Sequence, residues 1–142
     1  MTLVPLPLLA LVALAGAARA ADQSSNQTWR CMQAGAVGSY ELRTDALVLS
    51  DVKLVEEPGE LSHLPVIRAS FIAHNKSAKD FHVALAILGT DDKGPVFAVS
   101  VAPAFAGTVS PNSDQPATST IFAAPGELAR AVQICLRFVG DF

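Results

Sequence analysis

Apolar and polar residues alternate with a period of two through most of the chain from Ala46 onward, and turn residues interrupt the alternation about every 8–12 positions. A period of two puts successive side chains on opposite faces of a β-strand, so each alternating run predicts one strand. The predicted strands are 46–56, 66–74, 81–88, 96–101, 117–123 and 132–140. Because no helical pattern separates them, the sequence predicts an all-β fold, an immunoglobulin-like antiparallel β-sandwich of about 6–8 strands.

Each predicted strand has one face that is expected to lie in the core. The predicted inward residues of the clearest strands are Ile67, Ala69, Phe71, Ala73, Phe81, Val83, Leu85, Ile87, Val132, Ile134, Leu136 and Phe138. In the first strand the phase slips at Ser50-Asp51, since Leu47 and Leu49 share one face and Val52 carries the apolar face afterwards. A β-bulge, or a strand that crosses between sheets, explains such a slip.

The middle of the chain has a second recognisable pattern. One predicted strand ends in an Asn-containing turn at 73–77 (AHNKS), and the next runs into an Asp-rich, Gly-containing turn over 85–94 (LAILGTDDKG). This arrangement resembles exported bacterial immunoglobulin-like or fibronectin-III-like domains of the FxLYD type, with Ile87-Leu88-Gly89-Thr90 where that family has its aromatic-Leu-Tyr-Asp signature. The resemblance implies a sandwich fold and no particular chemistry, because such domains have many unrelated roles.

The first twenty residues have the pattern of a signal peptide. Residues 2–18 carry no charge and contain an apolar run of about fifteen residues, followed by Ala18-Arg19-Ala20, a small-x-small cleavage pattern. An uncleaved anchor is the alternative, but the run is short for a membrane span and contains Pro5 and Pro7. We therefore predict a signal peptide at 1–20, an N-terminal coil or edge segment at 21–44, a β-sandwich domain at 45–142, and a periplasmic or secreted location.

The charge balance excludes some classes of function. The formal net charge is −3 for 142 residues and becomes −4 without Arg19. A nucleic-acid-binding protein that relies on positive charge is therefore not expected. The chain is 51% hydrophobic and 16% charged, which is typical of a protein that buries a core rather than of a disordered one. After the signal peptide, no apolar stretch is long enough to span a membrane.

Two cysteines stand at opposite ends of the predicted domain, Cys31 and Cys135. In an oxidising compartment an even, minimal count of this kind predicts one disulfide, with two separate buried thiols as the alternative. Since there is no C-x-x-C motif, the sequence predicts neither a thioredoxin-type redox site nor a four-thiolate zinc site.

No pattern in the chain predicts catalysis. A G-x-S-x-G nucleophile motif and a phosphate-binding glycine loop are both absent from the sequence. The paired carboxylates Asp91-Asp92 and Glu56-Glu57 are neighbours in sequence, so their side chains point apart on a strand or turn. The sequence therefore predicts a non-catalytic protein without a cofactor.

Histidines offer one alternative function. If 66–74 and 81–88 form a hairpin, His74 and His82 lie opposite or diagonal to each other on the face away from Phe71. Two imidazoles at that separation bind copper or zinc when a third ligand joins them, and His63 is the only other histidine. A periplasmic metal-binding or small-ligand-binding protein is thus the alternative prediction.

The remaining polar features have simple structural interpretations. Asp91-Asp92-Lys93-Gly94 lacks the alternating acids of a calcium-binding loop, so it predicts a tight turn whose carboxylates bind nearby amides. Arg68 and Arg137 fall on the polar faces of their strands and are predicted to be solvated.

The segment Val96–Gly107 (VFAVSVAPAFAG) is apolar on both faces, with Ser100 as its one polar residue before the final turn. A strand has this pattern when it is buried on both sides, here with local cover by the segment 104–116, or when it docks against a partner. The predicted interface residues are Phe97, Val99, Val101 and Phe105. The sequence therefore predicts an exported, non-catalytic module that acts by contact with another envelope or secreted protein.

Overall fold

The structure is a computed structural model that describes residues 28–60 and 63–141. The predicted signal peptide at 1–20 lies outside the described residues. The described residues form nine strands, a 3₁₀ helix at Ala34–Ser39 and one helical turn at Glu127–Arg130. The strands are β1 (Arg30–Gln33), β2 (Leu42–Arg43), β3 (Leu47–Pro58), β4 (Pro65–Asn75), β5 (Phe81–Asp91), β6 (Gly94–Val101), β7 (Thr108–Val109), β8 (Ser113–Phe122) and β9 (Gln133–Asp141).

The strands form two antiparallel sheets around one hydrophobic core. The five-stranded sheet has the order β1-β9-β5-β6, and β7 also pairs with β5. The four-stranded sheet has the order β2-β3-β4-β8. The predicted all-β sandwich is therefore confirmed. It has more strands than predicted because β2 and β7 span two residues each, too few to produce an alternating pattern.

The core contains the inward faces that the alternation predicts. In β5, Phe81, Val83, Leu85 and Ile87 are between 0% and 7% exposed, while the residues between them are partly or fully exposed. The predicted inward residues of β4 are buried in the same way, as are Ile134, Leu136 and Phe138 of β9. The prediction for Val132 is wrong: it is 59% exposed, because β9 begins at Gln133 and Val132 lies before the part of the chain that faces the core. Burying a large aliphatic or aromatic side chain contributes about 1.5–3 kcal/mol, so these faces supply most of the driving force for folding.

The phase slip in the first predicted strand is a β-bulge. The register of β3 against β4 shifts between Ser50 and Lys53, and Asp51 adopts a left-handed backbone with φ of 54°. Leu49 before the bulge and Val52 after it are both fully buried. The extra residue therefore keeps both halves of β3 facing the core.

The connection between β4 and β5 differs from the prediction. The alternation on both sides of loop 75–80 predicts a hairpin, but β4 pairs with β3 and β8, whereas β5 pairs with β6 and β9 in the other sheet. The loop thus crosses between the sheets. The hairpin prediction is wrong because alternation fixes which face of a strand is buried and does not specify the neighbouring strand.

A buried side chain, that of Asn75, fixes this crossing. Asn75 is 0% exposed, and its amide Nδ2 donates to the backbone oxygens of Lys79 at 2.7 Å and Val109 at 3.0 Å. Its Oδ1 accepts from the backbone N–H of Ser77 at 2.8 Å. Asn75 therefore joins the end of β4, the crossing loop and β7.

The N-terminal segment contributes an edge strand to each sheet. β1 pairs with β9 in the five-stranded sheet, and β2 pairs with β3 in the other. Cys31 lies directly opposite Cys135 in the β1–β9 ladder, and the two form a disulfide. The predicted disulfide is therefore present, and it ties the first strand of the sandwich to the last.

Strand β8 begins at Ser113, four residues before the predicted strand. The predicted strand begins at Ala117 and leaves Pro116 outside it, but this proline lies within β8, opposite Ile72 of β4. β8 is at the edge of the four-stranded sheet. Only one side of an edge strand needs a complete set of backbone donors, so a proline is tolerated there.

Burial of Tyr40 makes a pH-dependent contribution to stability. Tyr40 is 8% exposed, and this burial raises the pKa of its hydroxyl above the usual 10.0, although the positive charge of Arg30 opposes the shift. The folded protein therefore holds this proton more tightly than the unfolded chain. The stabilising contribution is complete below pH 10 and is lost as pH rises through the folded-state pKa.

We expect urea unfolding of the wild type to show a larger loss of stability between pH 8 and pH 11 than that of Tyr40→Phe. Groups other than Tyr40 titrate in both proteins, so the difference between the two curves isolates the tyrosine. Equal losses in the two proteins would show that the Tyr40 hydroxyl makes no contribution.

Among the described residues, no helix has the length and apolar composition that crossing a membrane requires.

Candidate interaction surface

β6 is an edge strand of the five-stranded sheet, with β5 as its one ladder partner among the described residues, and just after β6 Pro103 forms an isolated bridge with Ala117 of β8. The chain around it is also uncharged, since no Asp, Glu, Lys or Arg occurs between Lys93 and Asp114. Edge strands usually carry charged residues or Pro that prevent pairing with another chain. Pro95 is at the start of β6, so the rest of this edge lacks that protection.

Three of the four predicted interface residues are in the core. Phe97 and Val99 are each 6% exposed and Val101 is 0% exposed, and all three belong to the central hydrophobic cluster. The prediction that a partner covers their side chains is wrong, because the four-stranded sheet covers them. The outward side of β6 carries Ala98 and Ser100, which are exposed. Because both side chains are small and uncharged, the sequence of β6 has an apolar pattern on both faces.

Phe105 is the one predicted interface residue at the surface. It is 91% exposed in the turn Ala104–Gly107, which follows β6. Phe105 and Ala106 both have left-handed backbones, with φ of 57° and 58°, a conformation that costs energy for residues other than Gly. The Thr108 hydroxyl donates to the Phe105 carbonyl at 2.7 Å and helps to hold the turn. The chain thus presents a large aromatic side chain to solvent at the end of an open edge.

Beside this edge lies the solvent-facing side of the five-stranded sheet, which we call the outer face. In its central rows, the ladders place Ala86 between Arg137 and Ser100, and Leu88 between Cys135 and Ala98. The next row pairs Ala84 with Val139, which is 45% exposed. These rows contain one charge, that of Arg137.

The solvent-facing side of the four-stranded sheet has a different composition. It carries the polar residues Lys53, Arg68, His74 and Asp114, together with the exposed apolar side chains of Val55, Ile72 and Phe122. The two sheets therefore differ in charge, since Arg137 is the one charged residue in the central rows of the outer face.

Arg137 does not have the solvated environment that its strand position predicts. Its guanidinium carbon lies 4.8 Å from the centroid of the Trp29 ring, which is a cation–π arrangement, and Trp29 is 40% exposed. The Nε of Arg137 is shielded from solvent and has no hydrogen-bond partner among the described residues. The prediction of a simple solvated arginine is wrong.

The positions of the two cysteines in the sequence contain a signal for this contact. Pairing Cys31 with Cys135 in an antiparallel ladder also puts Trp29 opposite Arg137, because each residue is two positions away from a cysteine. The disulfide thus sets the register that brings the indole to the guanidinium.

The two candidate metal ligands, His74 and His82, lie in different sheets. His74 Nδ1 contacts the carboxylate of Asp114, its ladder partner on β8. His82 Nδ1 lies 3.2 Å from the Thr108 hydroxyl in the five-stranded sheet. The predicted juxtaposition of the two imidazoles is wrong, because it depended on the hairpin that the structure replaces with a crossing.

Within residues 28–60 and 63–141, no group of three His, Cys, Asp or Glu side chains is arranged to hold a metal ion.

The Asp-rich segment between β5 and β6 forms a tight turn, as predicted. Asp91 Oδ1 accepts from the backbone N–H groups of Lys93 at 2.8 Å and Gly94 at 3.0 Å.

A groove of about 440 Å³ lies at one end of the four-stranded sheet. Its lining includes Glu57, Val66, Arg68 and Phe122, and Phe122 is 76% exposed. Arg68 Nε donates to Glu57 Oε1 at 2.6 Å. Glu60 also lines the groove and lies 3.9 Å from Arg68 Nη2, so this guanidinium already has carboxylate partners and the groove offers a ligand no unpaired cation.

Comparisons with known proteins do not add a relative to these observations. The chain matches no protein-family model, no curated protein and no solved structure. The resemblance to FxLYD-type domains therefore stays a prediction from sequence.

Proposed function

We propose that the protein is an exported, non-catalytic β-sandwich module that acts by binding another envelope or secreted protein, and that the β6 edge is part of the binding surface. The observation that carries this proposal is the combination of an open, uncharged edge strand with Phe105, 91% exposed, at its end. An unpaired strand edge binds an extended segment of a partner by adding one more strand to the sheet.

The residues of this edge have separate roles in the proposal. The backbone of β6 supplies hydrogen bonds to the partner strand, and the small side chains of Ala98 and Ser100 allow it to approach closely. Phe105 supplies an apolar anchor, the kind of residue that dominates binding energy in many interfaces. The buried side chains of Phe97, Val99 and Val101 hold the strand against the core and do not touch the partner.

Ala98→Lys tests this proposal. Its side chain is exposed on the edge strand, so we expect the lysine to leave the fold intact and to block strand addition. The matched control is Thr118→Lys on β8, an exposed position on the edge strand of the other sheet. Tagged proteins are used to capture partners from the envelope and medium of the source, and captured proteins are quantified by mass spectrometry.

We expect a partner that is recovered with the wild type and with Thr118→Lys, and recovered at least about tenfold less with Ala98→Lys and with Phe105→Ser. Circular dichroism and thermal unfolding confirm that each variant is folded. Equal recovery with all four proteins would place the contact elsewhere, and absence of any specific partner of the wild type would contradict the proposal.

A further inference from the structure

We infer that the outer face is a docking surface for an extended polypeptide segment that presents a carboxylate to Arg137. This inference rests on the proposed interaction function and adds the chemistry of the partner. Three observations support it. A guanidinium nitrogen of Arg137 has no hydrogen-bond partner among the described residues, the central rows of the outer face contain no acidic residue, and the side chains around Arg137 in those rows are small.

The need for a carboxylate follows from the position of Arg137. The residue lies in the middle of the sheet, with Ala86 as its ladder neighbour on β5, and its Nε is desolvated without a hydrogen bond from the described residues. Nε itself is covered, but Arg137 as a whole is partly exposed, so an incoming carboxylate can pair with the part of the charged side chain that reaches the surface. Carboxylates are the protein groups that match the planar donor fork of arginine.

The shape of the face favours an extended chain over a small molecule. Small-molecule sites are concave, whereas the central rows of this face are a ladder surface with the small side chains of Ala86, Ala98 and Ser100 around Arg137. A shallow depression of about 200 Å³ lies one row away, lined by Ala84, Ala102 and Val139 among others. Val139 is two residues from Arg137 along β9, a separation of about 7 Å.

This spacing specifies a pattern in the partner. Residues two apart in an extended chain lie on the same side and are also about 7 Å apart. A segment that runs along β9 can therefore place an Asp or Glu against Arg137 and an apolar side chain in the depression. The Trp29 ring stacks on the guanidinium at 4.8 Å and restricts its position.

A second copy of the chain is a poorer occupant of this face. Two outer faces packed together would bring two Arg137 residues into one interface, and the described central rows provide no carboxylate for either. Like charges buried in an interface oppose association. Charge complementarity thus favours a different polypeptide that carries an acid.

The test uses a phage library of random twelve-residue peptides selected on the full-length wild-type protein, with Arg137→Gln for counter-selection. We expect the enriched peptides to contain Asp or Glu more often than the unselected library, with an apolar residue two positions away. A library that yields no peptide specific to the wild type, or peptides without acid enrichment, would overturn the inference.

A synthetic peptide from this selection and its Glu→Gln or Asp→Asn analogue then test the contact itself by fluorescence anisotropy. On the wild type we expect the analogue to bind about tenfold more weakly or worse, and on Arg137→Gln we expect the two peptides to bind equally. Arg68→Gln, which removes an arginine from the other sheet, should behave as the wild type does. If the analogue loses the same affinity on Arg137→Gln, another residue reads the carboxylate and the inference falls.

Ala86→Glu provides a variant that keeps Arg137. Ala86 is the ladder neighbour of Arg137, so the new carboxylate lies within reach of the guanidinium and competes with the peptide. We expect a folded protein that no longer binds the acidic peptide, and undiminished binding would contradict the inference.

Two further results separate this inference from alternatives. A wild-type dimer in sedimentation velocity that dissociates in Arg137→Gln would identify a second copy as the occupant and overturn it. If the captured partner depends on Ala98 and Phe105 but not on Arg137, the proposed function stands and the carboxylate inference alone is wrong.

Discussion

Removal of the Cys31–Cys135 disulfide is expected to lower the free energy of unfolding by about 2–5 kcal/mol. The bridge joins residues 104 positions apart in sequence, so it restricts the unfolded chain over most of the domain. In the folded state it fastens β1, an edge strand of four residues that pairs with β9 alone. Without the bridge, this short strand has little else to hold it in register.

Urea unfolding of Cys31→Ala/Cys135→Ala, and of the wild type with and without reductant, measures this loss. The double variant and the reduced wild type should unfold at similar urea concentrations, both below the oxidised wild type. Trp29, the residue before β1, contacts Arg137 of β9. Removing the bridge should therefore change the fluorescence of this indole as well as the free energy of unfolding. Coincident unfolding of oxidised and reduced protein would mean that pairing with β9 alone secures β1.

Asn75→Ala is expected to cost about 3 kcal/mol of stability. The change deletes three hydrogen bonds of a side chain that is 0% exposed and leaves the amide of Ser77 and two carbonyl oxygens without their partner. Each buried polar group left unpaired costs about 1–3 kcal/mol. The loss is large because no other described side chain bonds both to the loop that connects β4 with β5 and to strand β7.

Asn75→Asp and Ser77→Ala separate the contributions at this crossing. Asn75→Asp keeps an acceptor for the Ser77 amide but loses both donors and adds a buried charge, so its stability should fall at least as far as that of Asn75→Ala. Ser77→Ala removes an exposed hydroxyl that bonds Lys79 and should change stability by less than about 1 kcal/mol. A small effect of Asn75→Ala, comparable with that of Ser77→Ala, would show that water replaces the amide.

The inward faces of the long strands were predictable from the sequence for a physical reason. A shift of one residue would expose every apolar side chain of a strand such as β5 and bury its polar neighbours. The same constraint reveals the bulge in β3, because Leu49 and Val52 face the same core across an odd spacing. Local alternation is therefore sufficient for these features.

The environment of β6 was predictable in part. Its lack of charge is visible in the sequence and marks an unusual strand, but the predicted partner contact was at Val99 and its inward neighbours, which are buried. The residues of β6 form a buried set and an exposed set, and the size of the side chains distinguishes the two sets. Phe97 and Val99 are large and face the second sheet, whereas Ala98 and Ser100 are small and face solvent.

The histidines and Arg137 show what depends on long-range pairing. His74 and His82 are close in sequence, yet they lie in different sheets because the chain crosses the sandwich between them. Trp29 and Arg137 are far apart in sequence, yet the β1–β9 ladder and its disulfide bring them into contact. Sequence distance was misleading in both cases.

By itself, the sequence determined the six long strands, their buried faces, the phase slip in β3 and the cysteines available for a disulfide, because each depends on local periodicity or on a count of two. The tertiary structure alone decided which strands share a sheet, and with it the separation of the histidines and the composition of the outer face. The physical reason is that an alternating strand gains the same burial beside any partner that covers its apolar face. The choice of partner depends on ladders between distant segments and on buried groups such as Asn75 that are satisfied in one arrangement.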